Sequence, residues 1–127
     1  MDKRDIQQWL NIYGEAWVQG DPEKIALLFT ETASYRETPF NEAMIGRDAI
    51  KQYWQEGAAD AQDNVEFSSQ VWAVEAETSV AGWQASFTRK TSGVKVKLDG
   101  VFRLTFSAVS GRLLCKSLEE WWHRTES

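Results

Sequence analysis

Between Lys3 and Gln19 the apolar side chains fall at Ile6, Trp9, Leu10, Tyr13, Ala16 and Trp17. Steps of three and four residues place them on one helical face. Asp2 or Asp5 can accept from the free amides at the start, and Gly20 suits the left-handed residue that follows a helix. Asp21-Pro22-Glu23 then begins a second helix with an acceptor cap, a preset φ and an acid at the positive end of the dipole. That helix is predicted from Pro22 to about Phe29, with Ile25, Leu28 and Phe29 inward. Residues Ala33–Thr38 predict a short strand that pairs with Met44–Ile45 around Pro39-Phe40-Asn41. A third helix is predicted from Arg47 to about Gly57, burying Ile50, Tyr53 and Trp54.

The period changes in the second half. Val65–Val74, Ser79–Lys90, Val94–Ala108 and Arg112–His123 read as four strands, separated by turns at Glu75–Thr78, Thr91-Ser92-Gly93 and Val109-Ser110-Gly111. Connections this short require antiparallel pairing. In Val94–Phe106 one parity carries Val94, Val96, Leu98, Gly100, Phe102, Leu104 and Phe106, whereas the other carries Lys95, Lys97, Asp99, Val101, Arg103 and Thr105. Such a strand has one covered face and one polar face. A slip of phase between Phe67 and Trp72 predicts a bulge. Helices first and antiparallel strands later give an α+β domain spanning residues 1–127, with a twisted sheet able to curl around the helices and leave a cavity.

Composition narrows the function. The formal charge of −5 lacks the basic footprint of a nucleic-acid binder. Cys115 is alone and His123 is the single histidine, which leaves too few ligands for a zinc site. No apolar run suits a signal segment or a membrane span, so the expected setting is the cytoplasm. No phosphate loop, Ser-His-Asp order or metal-binding acid–histidine spacing is present, and no metal or organic cofactor is expected. Seven tryptophans, by contrast, supply large aromatic area to a core or a binding site.

Two side chains are candidates for chemistry. Glu37 falls at the end of the predicted first strand, facing the apolar helices. A carboxylate walled by aromatics can move protons near neutrality; the competing reading is a surface glutamate paired with Arg36. Tyr13 sits in the apolar stripe of the first helix and can donate to an oxygen on which charge develops; it can equally be a core tyrosine bonded to a carbonyl. Trp17, Trp54 and Trp83, with Tyr35 and Phe40, are candidate walls for a substrate, and core packing explains the indoles equally well. Asp99 lies on the polar phase of its strand with Lys97 and Arg103, which favours a solvated or interface face. His123 is expected to be structural or exposed.

The ordered set Gln19-Gly20-Asp21, Ile25-Ala26-Leu27-Leu28-Phe29, Tyr35–Pro39, Gly46-Arg47-Asp48-Ala49-Ile50, Tyr53-Trp54 and Gly111…Leu118-Glu119-Glu120-Trp121-Trp122 resembles the nuclear transport factor 2-like superfamily, in particular its SnoaL-like, ketosteroid-isomerase-like branch. The resemblance implies a cone: a curved, mixed but mostly antiparallel sheet wrapped around three helices, with a deep apolar pocket. It also implies a homodimer formed through the outer sheet face. Aligned on Asp21 and Gly46, Tyr13 falls where the isomerases keep an oxyanion tyrosine and Glu37 where they keep an aspartate base. Their third group is a protonated acid, and its place falls on Gly100, with Asp99 next door on the opposite face.

These readings converge on a pocket that takes a small apolar or aromatic ligand, with no nucleic-acid or membrane partner. One expectation is a cofactor-free isomerase, cyclase or dehydratase with Glu37 as base and Tyr13 as oxyanion donor. The alternative is a non-catalytic ligand-binding or dimeric interaction module. The superfamily hosts many chemistries, and the fold alone does not choose among them.

Overall fold

The structure is a computed structural model that describes residues Met1–Ser127. Helix α1 spans Lys3–Gln19 and starts with a reciprocal capping box between Asp2 and Asp5. It stops at Gly20, whose φ of 65° is left-handed. Helix α2 is Pro22–Ala26, with the Asp21 side chain accepting from the Lys24 amide.

This second helix ends sooner than its apolar pattern predicts. The Leu28 carbonyl accepts both from the Cys115 amide at 2.9 Å and from Trp9 Nε1 at 3.0 Å. Its backbone is therefore committed to a strand and to α1, and Phe29 opens strand β1 (Phe29–Arg36) instead of closing a helix. β2 (Met44–Ile45) pairs with β1 antiparallel, in the predicted hairpin. Helix α3 (Arg47–Trp54) passes directly into a π-helical turn, Gln55–Ala59, in which the Asp60 amide donates to the Gln55 carbonyl. A π-turn is a local widening that often accompanies a functional site.

Strands β3 (Gln62–Glu75), β4 (Thr78–Arg89), β5 (Lys95–Val109) and β6 (Arg112–Glu126) complete a six-stranded sheet in the order β2-β1-β6-β5-β4-β3. The β1–β6 pair is parallel and every other pair is antiparallel. The anticipated bulge is present as a register shift between Val71 and Ala73, with a second between Asp63 and Glu66. The shift lets Phe67 and Val71, and then Val74, all pack toward the core while Trp72 faces out.

The even parity of β5 faces inward: Val96, Gly100, Phe102, Leu104 and Phe106 are buried. Of these, Phe102, Leu104 and Phe106 form one core cluster with the α1 stripe and Ile50 and Trp54 of α3, inside the curve of the sheet. The architecture is thus a cone, with a sheet that curls over the helices without closing into a barrel. No helix is long and apolar enough to cross a membrane.

Candidate active site

Five elements meet at one end of this core. Tyr13 and Trp17 are four residues apart on α1 and so share one face. Tyr35 points inward from β1, and Glu37 follows just beyond the last residue of that strand. Tyr53 and Trp54 come from α3, and Trp83 from β4. On β6 the inward parity runs Leu118, Glu120, Trp122, Arg124, while Glu119 and Trp121 face out. These side chains enclose a cavity of about 340 Å³, continued toward the rim by Gly57 and Ala58 of the π-turn and by Gln62, Phe87, Arg89 and Thr91.

A buried hydrogen-bond chain crosses the floor. The Tyr13 and Tyr35 hydroxyls are 2.9 Å apart, and the Tyr35 hydroxyl donates to Glu120 Oε1 at 3.2 Å. Tyr13 and Tyr35 are essentially inaccessible and Glu120 is 6% exposed. Burial pushes the Glu120 carboxyl well above the usual carboxylate range, the negative charge of Glu37 pushes it further, and the bond from Tyr35 opposes both. Burial raises the phenols of Tyr13, Tyr35 and Tyr53 as well, with the proximity of Glu120 second in each case. The Glu37 carboxylate adds to the effect on Tyr53 and Tyr13. Burial thus disfavours the ionised form of all three tyrosines and of Glu120.

The walls hold this chain in place. Tyr13 meets Trp54 edge-on at 5.5 Å and stacks with Trp9 at 5.5 Å. Trp83 lies flat against Phe102 at 5.0 Å, an arrangement that needs Gly100 beside it: a Cβ on Gly100 would come within 2.6 Å of the indole and 2.8 Å of the Trp121 carbonyl. Trp122 Nε1 donates to the Glu37 carbonyl at 3.0 Å and so pins the segment that carries the carboxylate. Trp17 Nε1 donates to Gln62 Oε1 at 2.8 Å, closing the side of the cavity between α1 and β3. Nε1 of Trp54 and of Trp83 are buried with no protein acceptor.

Of the residues singled out from the sequence, Tyr13, Glu37, Trp17, Trp54, Trp83 and Tyr35 all line this one cavity. Phe40 does not: it is 95% exposed in the loop after β1, on the outer side with Trp72 and Trp121. Asp99 and His123 are cross-strand neighbours on the outer face and both are exposed, as the polar phase of β5 anticipates. No three His, Cys, Asp or Glu side chains converge as a metal site. Cys115 is buried, and burial pushes its thiol up to about 12.

Glu120 and Tyr53 carry no role in the sequence reading. The signal for Glu120 was parity: Leu118, Glu120 and Trp122 alternate with Glu119 and Trp121. It was masked by the preceding Leu113-Leu114-Cys115 run, where β6 changes register between Thr105 and Phe106 of its partner and Leu114 and Cys115 are both buried. A continuous apolar run has no readable phase.

Among curated protein sequences none matches this chain. Solved structures do. A scytalone dehydratase candidate from Novosphingobium aromaticivorans superposes with a TM-score of 0.84 at 22% identity, covering 98% of this chain and 86% of its own. The hexachlorocyclohexane dehydrochlorinase LinA-type3 of Novosphingobium barchaimii reaches 0.80 at 8% identity over 98% and 88%. A ketosteroid isomerase-like protein of Erwinia carotovora atroseptica reaches 0.71 at 16% identity over 93% of each chain. At such identities the likeness is one of fold. The SnoaL-like domain family matches residues 7–114, from α1 to the start of β6, and the chain belongs to that family.

Proposed function

We propose that the chain is a cofactor-free proton-transfer enzyme of the isomerase, cyclase or dehydratase kind, acting on an apolar or aromatic carbonyl compound. The observation that carries this reading is the buried Tyr13–Tyr35–Glu120 chain opening on the same cavity as the Glu37 carboxylate. Glu37 is the base that takes a proton from carbon. The charge that then develops on the substrate oxygen is met by Tyr13.

The chain supplies Tyr13 with a free proton only in one orientation. While Tyr35 donates to Glu120, the proton of Tyr13 is engaged with Tyr35. A protonated Glu120 can instead donate to Tyr35, turning Tyr35 toward Tyr13 and Tyr13 toward the cavity. A neutral acid at the end of the chain is thus what makes an oxyanion donor out of two tyrosines. Trp17, Trp54 and Trp83 exclude water and hold the apolar body.

The test is deuterium incorporation by NMR. A panel of aromatic and alicyclic ketones is incubated in D2O with the protein, and exchange at the carbon next to the carbonyl is followed. Wild-type protein exchanges at least one member, and Glu37→Gln loses that exchange by a factor of about 10² or more while still quenching Trp fluorescence with the same ketone. Exchange at the wild-type rate in Glu37→Gln removes the base assignment.

We further take the outer sheet face as a homodimer interface and the cytoplasm as the place of action. Trp72 and Trp121, 53% and 41% exposed on the outer side together with Phe40, support the first. Trp121→Glu then gives a monomer by analytical ultracentrifugation, and an unchanged sedimentation profile overturns the assignment.

A further inference from the structure

The cavity has two unlike ends, and the strand register measures the distance between them. On its inner surface, the row Ala81–Phe102–Glu120 is followed by Trp83–Gly100–Trp122 and then by Ala85–Leu98–Arg124. Glu120 and Arg124 are four residues apart on one extended strand, about 13 Å. Both line the cavity, as does Arg89 from the end of β4.

Arg124 does not simply point to solvent. Its guanidinium carbon lies 5.9 Å from the ring centre of Trp122, along the cavity wall. Arg89 Nη1 bonds Glu126 Oε1 at 2.6 Å, and Arg124 Nε approaches the same oxygen at 3.4 Å. Two guanidinium groups thus share a single carboxylate oxygen, leaving one positive charge in excess and donors to spare. The nearby Lys90 ammonium is turned away to the Ala59 carbonyl. The protein as a whole carries a net charge of −5, which makes a cationic rim at the mouth of a cavity with an acidic floor a local departure.

Resting on the proton-transfer reading above, we propose that the substrate bears a carboxylate roughly 10 Å from its reacting carbon, held by Arg89 and Arg124 at the rim. The apolar body lies between, against Trp83 and Trp122. Glu126 occupies the guanidinium pair in the absence of ligand and is displaced from it by the substrate carboxylate. Arg pairs bind carboxylates through parallel N–H donors, and the fixed fork gives orientation as well as affinity. This end of the site selects and orients the molecule; the chemistry stays with Glu37 and Tyr13.

The experiment uses 4-(naphthalen-2-yl)butanoate and its methyl ester, titrated by quenching of Trp fluorescence. The wild-type protein is expected to bind the carboxylate about tenfold more tightly than the ester. In Arg89→Gln/Arg124→Gln the preference falls to within about twofold with the ester affinity unchanged. In Glu126→Gln, which frees both guanidiniums of their competitor, the carboxylate binds several-fold more tightly and the ester as before. A merely structural ion pair predicts the opposite: loss of Glu126 would weaken both ligands or neither.

Equal affinity of the two ligands for wild type, or a preference that survives in the double arginine variant, overturns the proposal while leaving the proton-transfer reading intact. The converse separation also holds, since ketone exchange at the wild-type rate in Glu37→Gln removes the base assignment and says nothing of the rim. Binding of neither ligand overturns the anionic end together with the idea of an open cavity.

Discussion

Replacing Tyr35 by phenylalanine is the sharpest probe of the buried chain. Tyr35 is the middle member, with Tyr13 on one side at 2.9 Å and Glu120 on the other at 3.2 Å, and its removal leaves both without a partner. A buried polar group stripped of its partner costs about 1–3 kcal/mol. With two such groups, Tyr35→Phe should cost about 3 kcal/mol. Tyr13→Phe is different, because Tyr35 keeps its bond to Glu120; the loss is then one neutral hydrogen bond, about 1 kcal/mol. The double variant leaves a single orphan, Glu120, and should cost about 2 kcal/mol. It is therefore predicted to be no less stable than Tyr35→Phe alone, a coupling of about 2 kcal/mol between neighbours in one network. For a chain of 127 residues an unfolding entropy of about 2.1 cal/mol/K per residue converts each kcal/mol into about 4 °C of Tm. The assay is urea unfolding with a common m-value, supported by thermal melts. The reasoning is refuted if the two single costs are equal, or if they add to the double within about 0.5 kcal/mol.

Two further predictions concern groups on the same inner surface. Below the ordinary carboxylate range Glu120 is protonated in folded and unfolded chains alike; as pH rises beyond that range the unfolded chain releases the proton and the folded chain retains it, so stability falls until the raised native value is passed. Glu120→Gln removes this titration, and its stability relative to wild type should climb as pH rises above the ordinary carboxylate range, a gain visible as a flatter Tm-against-pH curve; a constant difference as pH rises contradicts a buried acid with a raised pKa. Gly100→Ala inserts a methyl group 2.6 Å from the Trp83 indole and 2.8 Å from a backbone carbonyl that cannot swing aside, so it should cost about 1–3 kcal/mol and shift the Trp emission, whereas wild-type stability with unchanged emission would contradict the close approach.

The fold was legible wherever a stripe or an alternation ran long enough to have a phase. The α1 pattern sets its bounds and its inward face, and the parity of β5 separates Val96, Phe102 and Leu104 from Lys97 and Arg103. Legibility failed at short segments whose fate is decided by distant partners. Helix α2 looked longer because Ile25, Leu28 and Phe29 have helical spacing, yet the Leu28 carbonyl is claimed by Cys115 and Trp9, far away in the chain. The same holds at the cavity. Residues on long periodic elements, Tyr13, Trp17, Trp54 and Trp83, were foreseeable as inward. Phe40, in a loop with no period, was expected inside and lies outside. Glu120 was hidden by a bulged apolar run one turn of phase earlier.

That hidden residue also explains a gap in the resemblance to the isomerases, which places a protonated acid at Gly100. No side chain can stand there, since the Trp83 indole and the Trp121 carbonyl already fill the space where a Cβ would go. Gly100 faces Trp122 across the β5–β6 ladder, and the next inward residue of β6 is Glu120, opposite Phe102. Diagonal neighbours on one face of an antiparallel pair lie within about 7–8 Å, a separation that a glutamate side chain can bridge and an aspartate spans poorly. An acid on the adjacent strand thus reaches the Tyr13–Tyr35 pair from the side, and Gly100 admits a flat indole as a cavity wall. In the chemistry proposed above, the neutral acid is rooted on β6, at Glu120. Glu120 bonds Tyr35 and Tyr35 bonds Tyr13, so the double-variant cycle at Tyr13 and Tyr35, more than any change at Glu120 alone, decides whether the three groups act as one unit.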